Sequence, residues 1–362
     1  MLKLVFLFFL SGTNPSCAGE GESSIIFKER PTPIYSKISA SEKIGAIVFE
    51  SELSNQPSKK YDVALIHGEM PDANLKLEIW VKQKFFLFSQ YEKYEPVALR
   101  RFHSGRFWAK FKLKALTDQP LKIAAINSGV KFDHVFAVYE AEIFIESQLK
   151  EDREAYSERP EQPVQVSSFP MPGIIVRGQW GASPPTQPYT PHTPRMLTLH
   201  HTAGRYPLNP EESFDEVQFI QDYHQNARGW IDIGYHFLID PYGNIFEGRP
   251  VNVVGAHAKW KNTNNAGISV MGNYHPPESD TPTVKTFDAI VNLGRYVSET
   301  YEIRVSSFFG HRDLNATDCP GDGLYQMIPE LKKEIFFPDI PPAAQVVPAN
   351  LENIKKLFFS RD

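Results

Sequence analysis

The chain reads as two folded blocks of different class, an all-β sandwich-like domain followed by an α/β domain. Three observations predict this. Residues 74–82 and 106–114 alternate apolar and polar, with Leu75, Leu77, Ile79 and Val81 on one inner face and Phe107, Ala109, Phe111 and Leu113 on another. Such a period of two marks half-buried strands. Beyond residue 174, short β-type runs alternate with runs of helical period. Between the blocks lie the charged run Lys150-Glu151-Asp152-Arg153-Glu154 and then Pro160, Pro163, Pro170 and Pro172, the composition of a semi-rigid linker. With 362 residues the chain has room for two or three cores. At 41% apolar and 22% charged it is not globally disordered.

Taken in order, residues 1–18 form an export signal. Lys3 supplies a basic start, residues 4–10 an apolar core too short to span a bilayer, and Ser16-Cys17-Ala18 small residues for cleavage. Lipid attachment at Cys17 is the second reading; the missing upstream aliphatic residue disfavours it. Residues 23–148 form the β domain, with further strands expected at 45–50, 61–67, 121–126 and 135–145 and turn signals at Ser104-Gly105 and Asn127-Ser128-Gly129. Many short strands at this spacing suggest a sandwich, suited to wall or carbohydrate binding. No catalytic constellation is legible there; His67, His103 and His134 read as structural or exposed. Residues 149–172 are the linker, which predicts few contacts between the halves and an independently folding C-terminal fragment. Residues 173–337 hold the α/β domain. Its strands are expected at 195–200, 235–239, 245–247 and 267–271, and its helices at 211–225, 284–301 and 324–335. Residues 338–362 are a Pro-rich tail.

Charge and cysteine usage narrow the function. A net charge of −5 without a long basic run argues against nucleic acid as the main partner. No segment beyond the signal has the ~18 apolar residues of a membrane helix, and no glycine-rich phosphate loop follows a strand. The mature chain keeps Cys319 as a lone thiol, so an internal disulfide does not explain it. Cys319 lies eight positions after His311 in the Gly/Pro-bounded run from Gly310 to Gly321. Imidazole nitrogen and thiolate sulfur are both zinc ligands, and a catalytic zinc takes three protein ligands and leaves one position open. The paired histidines His200-His201, ending the apolar run that starts at Leu197, are the obvious source of the third. On a strand they face opposite sides, so just one can point at a metal.

Six motifs in order then carry a resemblance: Arg177-Gly178-Gln179-Trp180-Gly181-Ala182; His200-His201-Thr202-Ala203; Trp230-Ile231-Asp232-Ile233-Gly234-Tyr235-His236-Phe237; Gly243-Asn244-Ile245-Phe246-Glu247-Gly248-Arg249; Gly255-Ala256-His257; and the stretch from His311 to Cys319. The block from about 174 to 337 resembles the peptidoglycan recognition proteins and the zinc-dependent N-acetylmuramoyl-L-alanine amidases of the phage-lysozyme type (amidase type 2). The resemblance implies a mixed central sheet with flanking helices. It also implies Zn2+ held by His200, His311 and Cys319, with water in the fourth position, its pKa lowered toward ~7. Tyr235 matches the tyrosine of active members and Thr317 a threonine of many recognition-type amidases; both are expected as catalytic oxyanion donors. His257, Arg249 and His236 are expected as substrate-binding residues. His236 follows the phage-type pattern, and Pro250-Val251 replaces the Gly-Trp of diaminopimelate-selective animal members, leaving the stem-peptide preference open.

The activity so implied is hydrolysis of the amide between N-acetylmuramic acid and L-alanine, on peptidoglycan or muropeptides outside the cytoplasm (periplasm, envelope or medium). The rival reading is a non-catalytic peptidoglycan-binding protein, which usually lacks the cysteine or the tyrosine. A weaker rival, a recycling hydrolase of free muropeptides, fits poorly with an export signal.

Overall fold

The computed structural model describes residues 23–25, 27, 32–83, 90–148 and 166–338. The expected signal, Cys17, most of the linker and all but the first residue of the tail lie outside these residues.

The N-terminal half is all β. Its strands are β1 (Ser23–Ser24), β2 (Ile34–Ile38), β3 (Ile47–Glu50), β4 (Tyr61–Glu69), β5 (Leu75–Lys82), β6 (Tyr91–Tyr94), β7 (Ala98–Arg101), β8 (Arg106–Thr117), β9 (Leu121–Asn127) and β10 (His134–Phe144). They form two antiparallel sheets. One runs β1-β10-β4-β8-β7 with β2 also on β10; the other runs β3-β9-β5-β6. The alternating residues read from the sequence meet between them: Leu75, Leu77, Ile79 and Val81 share one apolar cluster with Ile66, Phe107, Phe111 and Phe136.

The C-terminal half adds β11 (Ile174–Ile175), β12 (Met196–His201), α1 (Pro210–Asp222), β13 (Phe237–Ile239), β14 (Ile245–Glu247), β15 (Asn265–Val270), α2 (Val284–Thr300), β16 (Phe308–Gly310), α3 (Asp322–Tyr325) and α4 (Ile328–Phe336). The sheet order is β11-β14-β13-β15-β12-β16. It is mixed: β12 pairs parallel with β15 and β16, whereas β13 and β14 are antiparallel. Leu197, Leu199, Ile239 and Ile268 pack with Phe287, Ile290 and Leu293 of α2 and Leu331 of α4. On the other face Leu238 and Phe246 pack with Val217, Phe219 and Ile220 of α1. The helix starts are encoded locally. Asn209 caps α1 by accepting the Glu212 N–H at 2.9 Å, with Pro210 next, and Thr283 caps α2 through the Thr286 N–H at 3.0 Å. Two expected helices come out differently. The first passes into a π-turn at residues 223–227, and the last is broken into α3 and α4.

The halves are not independent, which corrects the expectation of few contacts between them. Helix α1 lies against the β4/β8/β10 sheet, and Val63, Leu65, Trp108 and Phe144 join Val217, Phe219, Ile220 and Tyr223 in one cluster. Hence Arg106 and Trp108, which alternation assigns to the solvent side, are buried. Arg106 donates to both carboxylate oxygens of Glu216, at 2.8 and 3.0 Å, and to Gly68 O at 2.9 Å. Its guanidinium lies 3.8 Å from the Phe219 ring centroid. Trp108 Nε1 donates to Asp222 at 2.8 Å, and Glu142 accepts from Tyr223 Oη at 2.6 Å and from Arg228. The last linker residues lie on α2, where Ser168 Oγ donates to Glu299 at 2.7 Å.

Candidate metal centre

Parallel pairing assembles the centre. In β12 and β16 Leu199 stands opposite Gly310, so the next residues, His200 and His311, emerge side by side at the carboxyl ends of neighbouring strands. Their ring centroids are 4.4 Å apart. The loop after His311 returns Cys319 to the same point, with Sγ 3.5 Å from His200 Nδ1. One ligand atom from each of His200, His311 and Cys319 lies within 4.8 Å of the others, and all three residues are buried. His201 faces away, as strand alternation requires; its Nδ1 accepts the Tyr274 N–H at 3.3 Å. Its backbone N–H, however, reaches Cys319 Sγ at 3.4 Å.

These donors fit zinc. His311 Nδ1 is buried with no hydrogen-bond partner among the described residues. Such an atom is costly unless something fills the gap. Burial, and then the neighbouring His311 and His257 rings, hold the His200 imidazole well below its ordinary pKa, so it presents a lone pair at neutral pH. Two imidazoles and a thiol form a three-ligand set that leaves a fourth position for water or substrate.

The remaining expected residues separate into two groups. Tyr235 is partly buried beside the cluster, its ring centroid 5.4 Å from that of His200. Thr317 is also partly exposed, and its Oγ1 accepts the Cys319 N–H at 3.2 Å, a local turn contact. The expected substrate-binding residues lie inside the wall instead. His257 is buried, with Nδ1 3.0 Å from His200 Nε2 and Nε2 3.1 Å from Asn265 O. Burial pushes its pKa down to about 3. His236 is buried, with Nε2 bonded to Val253 O at 2.8 Å and Nδ1 accepting the Gly267 N–H at 2.9 Å. Arg249 is buried and donates to the carbonyls of Ile233, Val254 and Asp232 at 2.7, 2.9 and 3.2 Å. Their polar atoms are thus bonded to protein partners in the wall of the site.

Three residues near the centre escaped sequence reasoning. Asn315 Oδ1 lies 3.2 Å from His311 Nε2; its place inside the His311-to-Cys319 stretch was the available signal. His224, in the π-turn, accepts the Gly234 N–H at 3.1 Å and places its ring 5.9 Å from Tyr235. Asn265 holds His257 through its backbone carbonyl, which no side-chain pattern could reveal.

A mixed sheet between helices, with two histidines and a cysteine at its carboxyl edge, defines the class. The sequence pattern of the N-acetylmuramoyl-L-alanine amidase family matches residues 190–322. Peptidoglycan-recognition protein SC2 of Drosophila melanogaster is 35% identical over 156 residues, covering 43% of this chain and 84% of that protein. Peptidoglycan recognition protein 1 of Bos indicus is 38% identical over 161 residues, covering 43% and 82%. A solved structure of the endolysin N-acetylmuramoyl-L-alanine amidase LysCS from Clostridium intestinale is 30% identical, covers 44% of this chain and 95% of that one, and has a TM-score of 0.37. Through its C-terminal half the chain belongs to the peptidoglycan recognition protein and type 2 amidase family, which includes both amidases and non-catalytic recognition proteins. No helix among the described residues is long and apolar enough to cross a membrane.

Proposed function

We propose that the chain is a zinc-dependent N-acetylmuramoyl-L-alanine amidase acting on peptidoglycan or its fragments outside the cytoplasm. The observation that carries this reading is the convergence of His200, His311 and Cys319 donors within 4.8 Å, beside the Tyr235 ring. These three side chains would hold the zinc, which when bound supplies a Lewis acid that polarises the scissile carbonyl and activates water. Tyr235 donates a hydrogen bond from its phenol to the oxyanion that develops on that carbonyl. Thr317, anchored to the backbone of Cys319, is the second candidate donor. The buried imidazoles of His257 and His236 stay neutral and keep the wall dry. We read the N-terminal half as a sandwich whose one sheet braces α1, residues 1–18 as the export signal, and 23–148 and 173–337 as the domain bounds.

Mass analysis of muropeptides after incubation with the purified protein tests the activity. Release of free stem peptides beginning with L-alanine, lost on zinc chelation, is the expected result. Tight peptidoglycan binding with no release, with zinc present, would carry the binding-protein reading instead. Tyr235→Phe is expected to lower kcat about 10²–10³-fold, the cost of one oxyanion donor, with KM and zinc content nearly unchanged.

A further inference from the structure

We infer that one loop, residues 255–262, fixes the tautomer of both histidine donors, with His257 acting on His200 and Asn315 acting on His311 as positioning residues. The inference names zinc on the strength of the reading above, but it concerns the protein's own hydrogen bonds.

Asn265 O sets the first tautomer. A carbonyl only accepts, so His257 Nε2, 3.1 Å away, carries the ring proton. In a neutral ring Nδ1 is then a lone pair, and it faces His200 Nε2 at 3.0 Å. His200 must therefore carry its proton on Nε2. Its lone pair is left on Nδ1, the atom that lies 3.5 Å from Cys319 Sγ. For His311 the reference is Lys259 O, which accepts from Asn315 Nδ2 at 3.3 Å. This fixes which end of the Asn315 amide faces His311: Oδ1, 3.2 Å from Nε2. His311 is thus protonated on Nε2 as well, and its lone pair is left on Nδ1, which has no hydrogen-bond partner among the described residues. Both chains of reasoning end on one loop, since His257 and Lys259 are two residues apart.

That loop is built to stay in place. Asn262 Oδ1 accepts the backbone N–H groups of His257 and Ala258, each at 2.8 Å. Asn265 Nδ2 donates to Lys261 O at 2.8 Å, and Asn265 Oδ1 accepts from Thr198 on the ligand strand β12 at 2.8 Å. Room for the His257 ring comes from two glycines. A Cβ on Gly255 would sit 2.6 Å from His257 Cδ2, and one on Gly267 2.6 Å from His257 Cγ, closer than real contacts allow.

The test measures zinc affinity of the full chain by competition with a chromophoric chelator, alongside histidine ¹⁵N spectra of the metal-free protein. Removing a partner that orients a metal-ligating histidine typically weakens metal binding about 10–100-fold. His257→Phe is expected to show that loss and to leave His200 as a mixture of tautomers. His257→Asn, which restores an acceptor near the Nδ1 position, should bind zinc within a few-fold of wild type. Asn315→Ala removes a partly exposed side chain, so it tests the second arm even if His257→Phe fails to fold; it should weaken zinc about tenfold or more and release His311 only. Wild-type zinc affinity in Asn315→Ala and in folded His257→Phe would overturn the inference. So would a metal-free wild type whose His200 proton sits on Nδ1. A protein that binds zinc in this way yet cleaves no muropeptide would leave the inference standing and sink the amidase reading, so the two failures are separable.

Discussion

Buried polar groups gather at the seam between the halves and at the candidate metal centre, where the Arg106–Glu216 pair and the His311 ring stand in opposite conditions. At the seam Arg106 and Glu216 meet through two hydrogen bonds, Gly68 O takes a further guanidinium proton, and aromatic rings cover the rest. At the centre His257 and Asn315 bond the imidazoles of His200 and His311, while His311 Nδ1 has no hydrogen-bond partner among the described residues. A saturated buried group stabilises one arrangement. A buried group short of a partner, with a second imidazole and a thiol beside it, is a place for a metal ion.

The comparison breaks most severely if the seam is removed. A fragment of residues 166–338 exposes Val217, Phe219, Ile220 and Tyr223 and strips Glu216 and Arg228 of partners from the β domain. It is expected to be insoluble or molten, with lost near-ultraviolet circular dichroism and strong binding of a hydrophobic dye. A fragment with native-like cooperative unfolding would show that the seam is dispensable.

The next effect belongs to the centre alone. Cys319→Ser is expected to lose both zinc and amide cleavage while keeping the fold, because its neighbours on β12 and β16 are held by the sheet. Metal analysis and the urea midpoint of the metal-free protein check the two halves of that statement. Full zinc occupancy in the variant would remove Cys319 from the ligand set.

At the seam, single substitutions sharpen the contrast. Arg106→Ala leaves Glu216 buried and uncompensated, and should cost about 3–5 kcal/mol of stability. Replacing both by apolar residues of similar size, Arg106→Met with Glu216→Leu, should recover most of that loss, since a buried pair is often matched by good apolar packing. Urea unfolding of the two proteins decides it. A double variant as unstable as the single one would mean that the ion pair also specifies how the halves dock.

How much of this was legible beforehand follows the same division. Strands β3, β4, β5, β8, β9 and β10 were readable because period two reports a buried face; β1, β2, β6 and β7 were not expected. That His311 and Cys319 would meet one of the His200-His201 pair was readable from chemical type and spacing, and the family resemblance named His200 as that one. The seam was not readable. Its strand β8 buries both faces, and the partner of Arg106 lies 110 residues away; a charge next to alternating apolar residues looks solvated until the helix that covers it is known. The hydrogen bonds of His257, Arg249 and His236 were unreadable for a related reason. A polar residue in a family motif suggests contact with substrate, and only the backbone carbonyls around it show that its hydrogen bonds are already spent.

The smallest predicted effect separates the two regions by pH. Burial holds the imidazoles of His200, His224, His236 and His257 below their ordinary pKa, and that of His67 at the seam is lowered as well. Above pH ~6.5 these groups are neutral both folded and unfolded, so they contribute no pH dependence. Below it the unfolded chain takes up protons that the fold refuses, and stability falls until the folded pKa is reached. For His257, with a folded value of about 3, lowering the pH to 5 should cost about 2 kcal/mol. The centre holds more of these rings than the seam. Hydrogen exchange of the metal-free protein at pH 7.5 and 5 should therefore show protection lost first around β12, β15 and the 255–262 loop, while α1 and β8 remain protected. Loss that begins at α1 and β8 would place the acid-sensitive step at the seam, with His67 the residue responsible.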